Sequence, residues 1–326
     1  MSDRLAPVVR LAPAKLNLTL SVVGRRPDGY HALHTVMAPL RLFDRLSLAP
    51  AAGPVDTLHV TGADTGPTQD NLVLRAIAAA REAAARANGR GAPTVPLAAR
   101  LEKHIPVAAG LAGGSSDAAA ALDAALEAWS LEVPAGDRAR AAASLGSDVP
   151  FFLAGSPALI EGRGEQVTPL PNLTGVAPGV LLVTPAVAVR TADAFAAFDA
   201  GGAAAPADPR STRISSEHLV SELLGGLSSH DLVVRAGVLA ATNDLAAAAF
   251  QLVPGLLQLR RRMSRILGVS IGLSGSGPTL WALYPSLDGA RLAAEAVDGA
   301  FRRRDLEAPG SGAPSVIATE LGGPPE

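Results

Sequence analysis

Cysteine is absent from the chain, which excludes disulfide cross-links, thiolate catalysis and thiolate metal sites. No apolar run is long enough to cross a bilayer, so no membrane partner is expected. The first residues, Met1 to Pro7, hold no secretory hydrophobic segment, and a cytoplasmic location is the expectation. Excess charge is lacking as well. The formal net charge of −2 argues against a nucleic-acid partner held through phosphate contacts. Aromatics are few, with seven Phe, two Tyr and two Trp, so an aromatic in a polar turn stands out. Lysine is equally rare. Among 28 basic residues only Lys15 and Lys103 are lysines. A composition biased to arginine would explain this. The other reading is that both positions want a compact, rotatable ammonium rather than a planar fork. The neighbours of Lys15 favour the second reading there, and for Lys103 the two stand level.

What the chain does contain is enough apolar material, 48% of 326 residues, for one large or two medium domains. Its most distinctive stretch runs from Pro106 to Ala119, where Gly, Ala and Ser lead straight into an alanine-rich helix, Ser116 to about Trp129. Small residues let a ligand approach the backbone closely, and a helix start offers unpaired N–H groups to an anion. A phosphate is the expected guest, although the loop lacks the P-loop pattern.

Around it, Leu16 to Val22 alternates with period two and reads as a half-buried strand, with Lys15 and Asn17 on its polar face. Arg25 to Gly29 is a turn, followed at once by Tyr30 and His31. Leu40 to Leu48 alternates again, broken by Asp44. Helices are expected at 70–88, capped by Asp70 or Asn71 and stopped at Gly89, and at 137–145, 192–199, 219–227, 243–250, 254–267 and 291–304. Thr191 is the expected cap of the 192–199 helix. Strands are expected at 95–105, 180–184, 269–273, 279–284 and 315–319, with a hairpin over 158–167. The 200–211 stretch and the tail from Gly322 read as loose. Elements of both kinds mix without a regular βαβ rhythm, so the fold class is α+β with a boundary near residue 160. Arg260 to Arg262 and Arg302 to Arg304 read as solvated helix faces. His34, His59, His104, His218 and His230 show no metal-ligand spacing.

Four segments carry chemistry: Pro13-Ala-Lys15-Leu-Asn17-Leu with Asp28-Gly-Tyr30-His31, the Gly-rich loop, Leu145-Gly-Ser-Asp148-Val-Pro150-Phe, and Gly272-Leu-Ser-Gly275-Ser-Gly277-Pro278-Thr279. By itself the Asp148 turn could be a helix terminus with an Asx-turn. Together the four segments resemble the GHMP kinases, and within them the branch that phosphorylates a cytidine diphosphate conjugate. The resemblance implies an N-terminal domain like ribosomal protein S5 domain 2 over residues 1–160, joined possibly by the last strand in 313–326. It implies a ferredoxin-like C-terminal domain over 161–312.

It also implies transfer from ATP, with Mg²⁺, to the 2-hydroxyl of a methylerythritol unit in isoprenoid precursor synthesis. Asp148 would be the general base and Lys15 its orienting and electrostatic partner. ATP would be held by Pro106, Val107, Ala108, Ala109, Gly110, Leu111, Ala112, Gly113, Gly114, Ser115 and Ser116, with Asn71, Leu72 and Lys103 near the adenosine. Ser115 or Ser116 could also approach Mg²⁺. The acceptor would be met by Asn17, Tyr30, His31, Asp148, Thr191, Phe195, Gly275, Ser276 and Gly277. Phe195 would be the second aromatic of a cytosine sandwich, or a core residue of its helix. Ala108 and Ala112 stand where many relatives carry Gly, which raises the question of strain if either needs a positive φ. A homoserine- or mevalonate-type kinase, or a non-catalytic nucleotide sensor on the same fold, are the other readings. The oligomeric expectation is a monomer or homodimer.

Overall fold

The computed structural model describes residues 7–88, 94–201 and 209–324. The expected helix stop at Gly89, most of the 200–211 stretch, the first six residues and the end of the tail lie outside the described residues.

Among the described residues, seven strands form a first sheet: β1 (Val8–Asn17), β2 (Ser21–Arg25), β3 (His31–Pro50), β4 (Thr57–Thr61), β5 (Leu97–Glu102), β6 (Ala158–Gly162) and β7 (Gln166–Pro169). The 20-residue β3 is its spine. It pairs antiparallel with β1, β2, β5 and β6. Helices α1 (Leu72–Asn88), α2 (Gly113–Ala128), α3 (Ala135–Leu145) and the single turn α4 (Val149–Phe152) pack with this sheet. Their core is built from small side chains. Ala76, Ala80 and Ala84 of α1 join Ala118, Ala121 and Ala125 of α2 in one buried cluster with Leu46, Leu48 and Leu101 of the sheet. Strands β8 (Gly179–Thr184), β9 (Gly272–Leu273), β10 (Leu280–Tyr284) and β11 (Ser315–Glu320) form a second antiparallel sheet in the order β11-β8-β10-β9. With it come α5 (Thr191–Asp199), α6 (Pro209–Leu224), α7 (Ser229–Val234), α8 (Ala236–Leu239), α9 (Ala246–Leu252), α10 (Leu256–Leu267) and α11 (Leu287–Arg302). A further cluster, including Leu16, Leu40, Leu182, Leu223 and Trp281, joins the two sheets.

Several expectations are corrected. The single half-buried strand over 16–22 is instead fully buried and interrupted between Asn17 and Ser21. The reason is backbone pairing with the other half of the chain: Leu20 N–H donates to Thr242 O at 2.7 Å and Asp244 N–H to Leu20 O at 2.9 Å. The 158–167 hairpin extends the first sheet past residue 160, to Pro169. The last strand lies in the second sheet, pairing with β8, and touches the first by a Leu40–Leu321 bridge. Helix α6 starts ten residues earlier than expected and ends before Gly225-Gly226. Arg260 is not a solvated residue. Its Nε donates to Ile271 O at 2.7 Å and its Nη2 to Ala240 O at 3.2 Å, tying α10 to the segments beside it.

Asp44, which breaks the β3 alternation, is fully buried for a reason the pattern could not show. Lys103, just past β5, donates to Asp44 and to Asp117 Oδ2 (2.6 Å) on α2. Asp44 Oδ1 also accepts the N–H groups of His104 (2.6 Å) and Ile105 (2.9 Å). One buried cation thus fixes β3, α2 and the start of the Gly-rich loop. Burial pushes the Asp117 carboxyl up to about 7; the Lys103 charge pulls it down and Asp44 pushes it further up.

Because breaking a buried pair leaves an uncompensated charge, Asp44→Asn should lower unfolding free energy by about 3–5 kcal/mol. Asp117→Asn should cost clearly less, since burial already favours its neutral form. The contribution of Asp117 is fully present below pH 3.8 and is lost as pH rises through about 7, so the variant should lack that part of the pH slope. Urea midpoints measured from pH 4 to 8 check both; equal losses in the two variants would contradict this ranking.

Candidate active site

The loop between Lys103 and α2 reverses by left-handed backbone at Ala108 (φ 53°), Gly110 (φ 77°) and Ala112 (φ 55°). Successive residues of this kind form concavities that suit anions. Only Gly110 has to be glycine. A Cβ there would lie 2.4 Å from Ser274 O and 2.9 Å from Gly277 O. Both alanines do adopt the positive φ that the sequence left in question, and Ala112 is the N-cap of α2 with no side-chain cap bond. The first turn of α2 is therefore without a side-chain cap. Ser115 is half-buried beside it, and the buried Ser116 Oγ has no partner among the described residues.

Lys15 lies just past an irregularity in β1 between Pro13 and Lys15. Its buried ammonium donates to Asn17 Oδ1 at 2.5 Å and Gly110 O at 2.6 Å. Asn17 in turn donates to Thr35 Oγ1 at 2.9 Å, which fixes its amide. The Gly275 loop closes the other side. A Cβ on Gly275 (φ 58°) would stand 3.1 Å from Lys15 Nζ and 3.2 Å from Gly110 O. Ser274 Oγ donates to that same carbonyl at 3.0 Å. Burial lowers the Lys15 pKa from its ordinary value, and the Asp148 charge opposes the shift. Asp148 is half-buried at the N-terminus of α4, and its carboxylate has no hydrogen-bond partner among the described residues.

Two adjoining cavities meet at this carboxylate. One, about 310 Å³, is lined by Lys15, Asn17, Ala109, Gly110, Ser115 and Ser276, with Leu72 also on its wall. The other, about 520 Å³, is lined by Tyr30, His31, Arg163, Ala192 and Asp199. Asp148, Thr191, Phe195 and Leu33 belong to both. The His31 ring stacks on Phe195 (centroids 4.7 Å apart, 14° between planes), and His31 Nε2 lies 2.7 Å from Asp199 Oδ1. Tyr30 is 53% exposed, with the Arg163 guanidinium 5.3 Å over its ring. Thr191 Oγ1 lies 3.3 Å from Ser276 Oγ, which joins α5 to the Gly275 loop.

Most of the expected residues therefore converge, and a few do not. Thr191 is the first residue of α5 rather than its cap, because Arg190 holds the extended N-cap position. Asn71 caps α1, its Oδ1 accepting Val73 N–H at 2.9 Å, and Lys103 is occupied by its two carboxylates. Of those three adenosine-side expectations Leu72 alone lines the cavity. Val107 is exposed, while Gly277 is buried behind the loop. Two contributors were not foreseen. Asn243 Nδ2 donates to both Leu273 O and Gly275 O at 2.9 Å and so holds the third loop. Gly164 packs against the turn before Asp148, where a Cβ would lie 2.2 Å from Ser147 O. The Gly162-Arg-Gly164 turn was visible in the sequence, but nothing there pointed to its partner.

The backbone cradle at the start of α2 shares its cavity with Lys15 and Asp148, and the fold that brings them together is that of the GHMP small-molecule kinases. Residues 71–156 match the GHMP kinases N terminal domain. The chain is 36% identical to a 4-diphosphocytidyl-2-C-methyl-D-erythritol kinase of Pelotomaculum thermopropionicum, over 91% of this chain and 95% of that one. It is 41% identical to one of Methylorubrum extorquens, over 89% and 94%. It also superposes on a crystal structure of 4-(cytidine 5'-diphospho)-2C-methyl-D-erythritol kinase, with TM-score 0.68, 35% identity and coverage of 97% of this chain and all of that one. The chain belongs to the 4-diphosphocytidyl-2-C-methyl-D-erythritol kinase family. A homoserine kinase of Cytophaga hutchinsonii shares the fold at 17% identity, with TM-score 0.68 and coverage of 99% of this chain and 97% of that one.

The alanines of the loop give a direct test. A left-handed alanine costs about 1–2 kcal/mol, whereas glycine there loses about 0.5–1 kcal/mol more backbone entropy on folding. Ala108→Gly and Ala112→Gly should therefore leave stability unchanged or raise it by up to about 1 kcal/mol. Ala119→Gly, inside α2, should lower it by at least about 1 kcal/mol. Thermal unfolding of the three variants separates the cases, and equal destabilisation would contradict the loop geometry.

Proposed function

We propose that the chain transfers the γ-phosphoryl group of ATP to the 2-hydroxyl of 4-diphosphocytidyl-2-C-methyl-D-erythritol. The observation that carries this reading is that Asp148 lies on both cavities, so one carboxylate faces a phosphate cradle on one side and an aromatic-lined acceptor cavity on the other. ATP takes the smaller cavity, its phosphates against the Ala108 to Ser116 backbone and the N-terminus of α2. The cytosine end of the acceptor takes the larger one, by Tyr30, His31 and Phe195. The loop and α2 belong to the first sheet's half, which holds the donor. The acceptor cavity draws on both halves, through Tyr30 and His31 on one side and Thr191 and Phe195 on the other.

The chemistry follows from these positions. Asp148 accepts the proton of the 2-hydroxyl as its oxygen attacks the γ-phosphorus, and the bond to the ADP oxygen breaks in line. Lys15 orients the hydroxyl and offsets negative charge at the transferring group. It can do so without moving, because Asn17 and Gly110 already fix its ammonium. A magnesium ion fits the donor set as an ion carried mainly by ATP oxygens and water. The residues present offer one unpaired carboxylate, Asp148, and the hydroxyls of Ser115 and Ser116, of which the Ser116 oxygen is buried without a partner. Among the described residues no cluster of three metal-binding side chains forms a cage. When bound, the ion would supply charge neutralisation on the phosphates.

Purified protein should consume the cytidyl conjugate with ATP and Mg²⁺ and leave homoserine and mevalonate untouched. The reverse pattern would move the assignment to another GHMP kinase. Asp148→Asn should cut kcat by at least about 100-fold while ATP still binds, measured by calorimetry; near wild-type turnover would overturn the base assignment. Because burial lowers the Lys15 pKa, loss of its proton should set an alkaline limb in kcat below the ordinary lysine value of 10.5. An activity flat to that pH would count against a charged Lys15.

A further inference from the structure

We propose that Arg163, at the tip of the β6–β7 hairpin, binds the diphosphate of the acceptor; this deepens the reading above and rests on it. The two ends of the acceptor are placed by separate features: the base by Tyr30, His31 and Phe195, and the reacting hydroxyl by Asp148. A diphosphate links them, so it must cross the cavity between the aromatic group and the Asp148 turn. The hairpin tip spans that interval. Arg163 stands with its guanidinium 5.3 Å over the Tyr30 ring. The next residue, Gly164 (φ 124°), rests against Ser147, one residue before Asp148. Substituting it would drive a Cβ into the Ser147 carbonyl, so the hairpin and the Asp148 turn are fixed against one another.

Charge argues the same way. Among the described residues the cavity wall carries two carboxylates, Asp148 and Asp199, and two arginines, Arg25 and Arg163. A doubly charged linker entering beside those carboxylates needs a cation close by. Arg25 is exposed, whereas Arg163 is half-buried and its guanidinium forms no ion pair among the described residues. Nearby carboxylates are otherwise engaged. Asp28 accepts from Tyr30 N–H and Arg26, and Glu165 accepts from Arg26 Nη1 (3.1 Å) and from the Arg163 backbone N–H (2.6 Å). Arg26 thus makes the side-chain hydrogen bonds to both acids; they feel the Arg163 charge only at a distance, and its fork, pre-oriented by the ring beneath it, is left for a phosphate.

The competing role for Arg163 is to prop Tyr30 without touching the acceptor, and inhibitors separate the two. In Arg163→Ala the KM for the cytidyl conjugate should rise about 10- to 100-fold, with KM for ATP and the melting temperature unchanged and kcat lowered far less. Arg163→Lys should recover most of the loss. CDP, which carries the diphosphate, should lose inhibition by the same factor, whereas cytidine, which lacks it, should inhibit both proteins equally. Equal weakening of cytidine and CDP would show a prop for Tyr30 and overturn the proposal, as would an unchanged KM. If the wild-type protein neither turns over the conjugate nor is inhibited by CDP, the proposed function fails, and this assignment fails with it.

Discussion

The site depends on one constraint: the buried Lys15 ammonium is satisfied while the Asp148 carboxylate beside it keeps its lone pairs free among the described residues. Lys15 meets it with neutral oxygens. The Asn17 amide and the Gly110 carbonyl take two of its three protons, and Asp148 acts on it through charge alone. Neutral acceptors compensate desolvation only in part, which is why burial still lowers the lysine pKa. Had Asp148 bonded the ammonium directly, its lone pairs would be committed and proton transfer from an alcohol would compete with an ion pair. Satisfying Lys15 with oxygens from the backbone and an amide instead brings three distant parts of the chain together. Gly110 comes from the phosphate loop, Asn17 from β1, and Gly275 closes behind them. The last is held by Asn243, from the turn before α9.

The second lysine shows the opposite solution. Lys103 is paired directly with Asp44 and Asp117, both buried. Two carboxylates around one cation make a rivet, and the rivet sits where the phosphate loop begins. Both ammoniums sit in close quarters: a Cβ on Gly113 would stand 3.2 Å from Lys103 Nζ, and one on Gly275 would stand 3.1 Å from Lys15 Nζ.

Much of this was legible in the residues themselves. Period, caps and Gly/Pro punctuation located the long helices, because those signals are local, but of the two longest strands they found only Leu40 to Leu48 of β3 and the last two residues of β1. Lys15, Asn17 and Asp148 could be named from motifs for the same reason. What stayed hidden was pairing across the chain. The run 16–22 looked like a half-buried strand because alternation reports one exposed face, whereas that polar face is covered from elsewhere in the chain, Asn17 by Thr35 and Thr19 by Ser216. Asp44 looked like a flaw in β3 until Lys103 and two loop N–H groups were set beside it. Arg260 looked solvated because its acceptors are backbone carbonyls, which no side-chain pattern displays. β4 and α4 are too short to announce themselves, although α4 presents Asp148.

On the proposed function, the arrangement of the larger cavity would let recognition and reaction be separated by the length of a diphosphate. Phosphoryl transfer gains most from holding the hydroxyl in line with the γ-phosphate, and a small alcohol offers few groups by which to hold it. A distant base supplies them. On that function, binding energy collected at Tyr30, His31 and Phe195 would be spent on fixing the hydroxyl at Asp148 only if the wall between them is stiff. The structure provides that stiffness twice. The β6–β7 hairpin locks Gly164 onto Ser147 while its neighbour covers Tyr30, and Thr191 meets Ser276 so that α5, with Phe195, is tied to the loop that closes behind Lys15. His31 is held as firmly, stacked on Phe195 and bound to Asp199. On the proposed function, a base that fits this group would deliver its alcohol to Asp148 with little left to order, and a small alcohol without such a base would forfeit that gain.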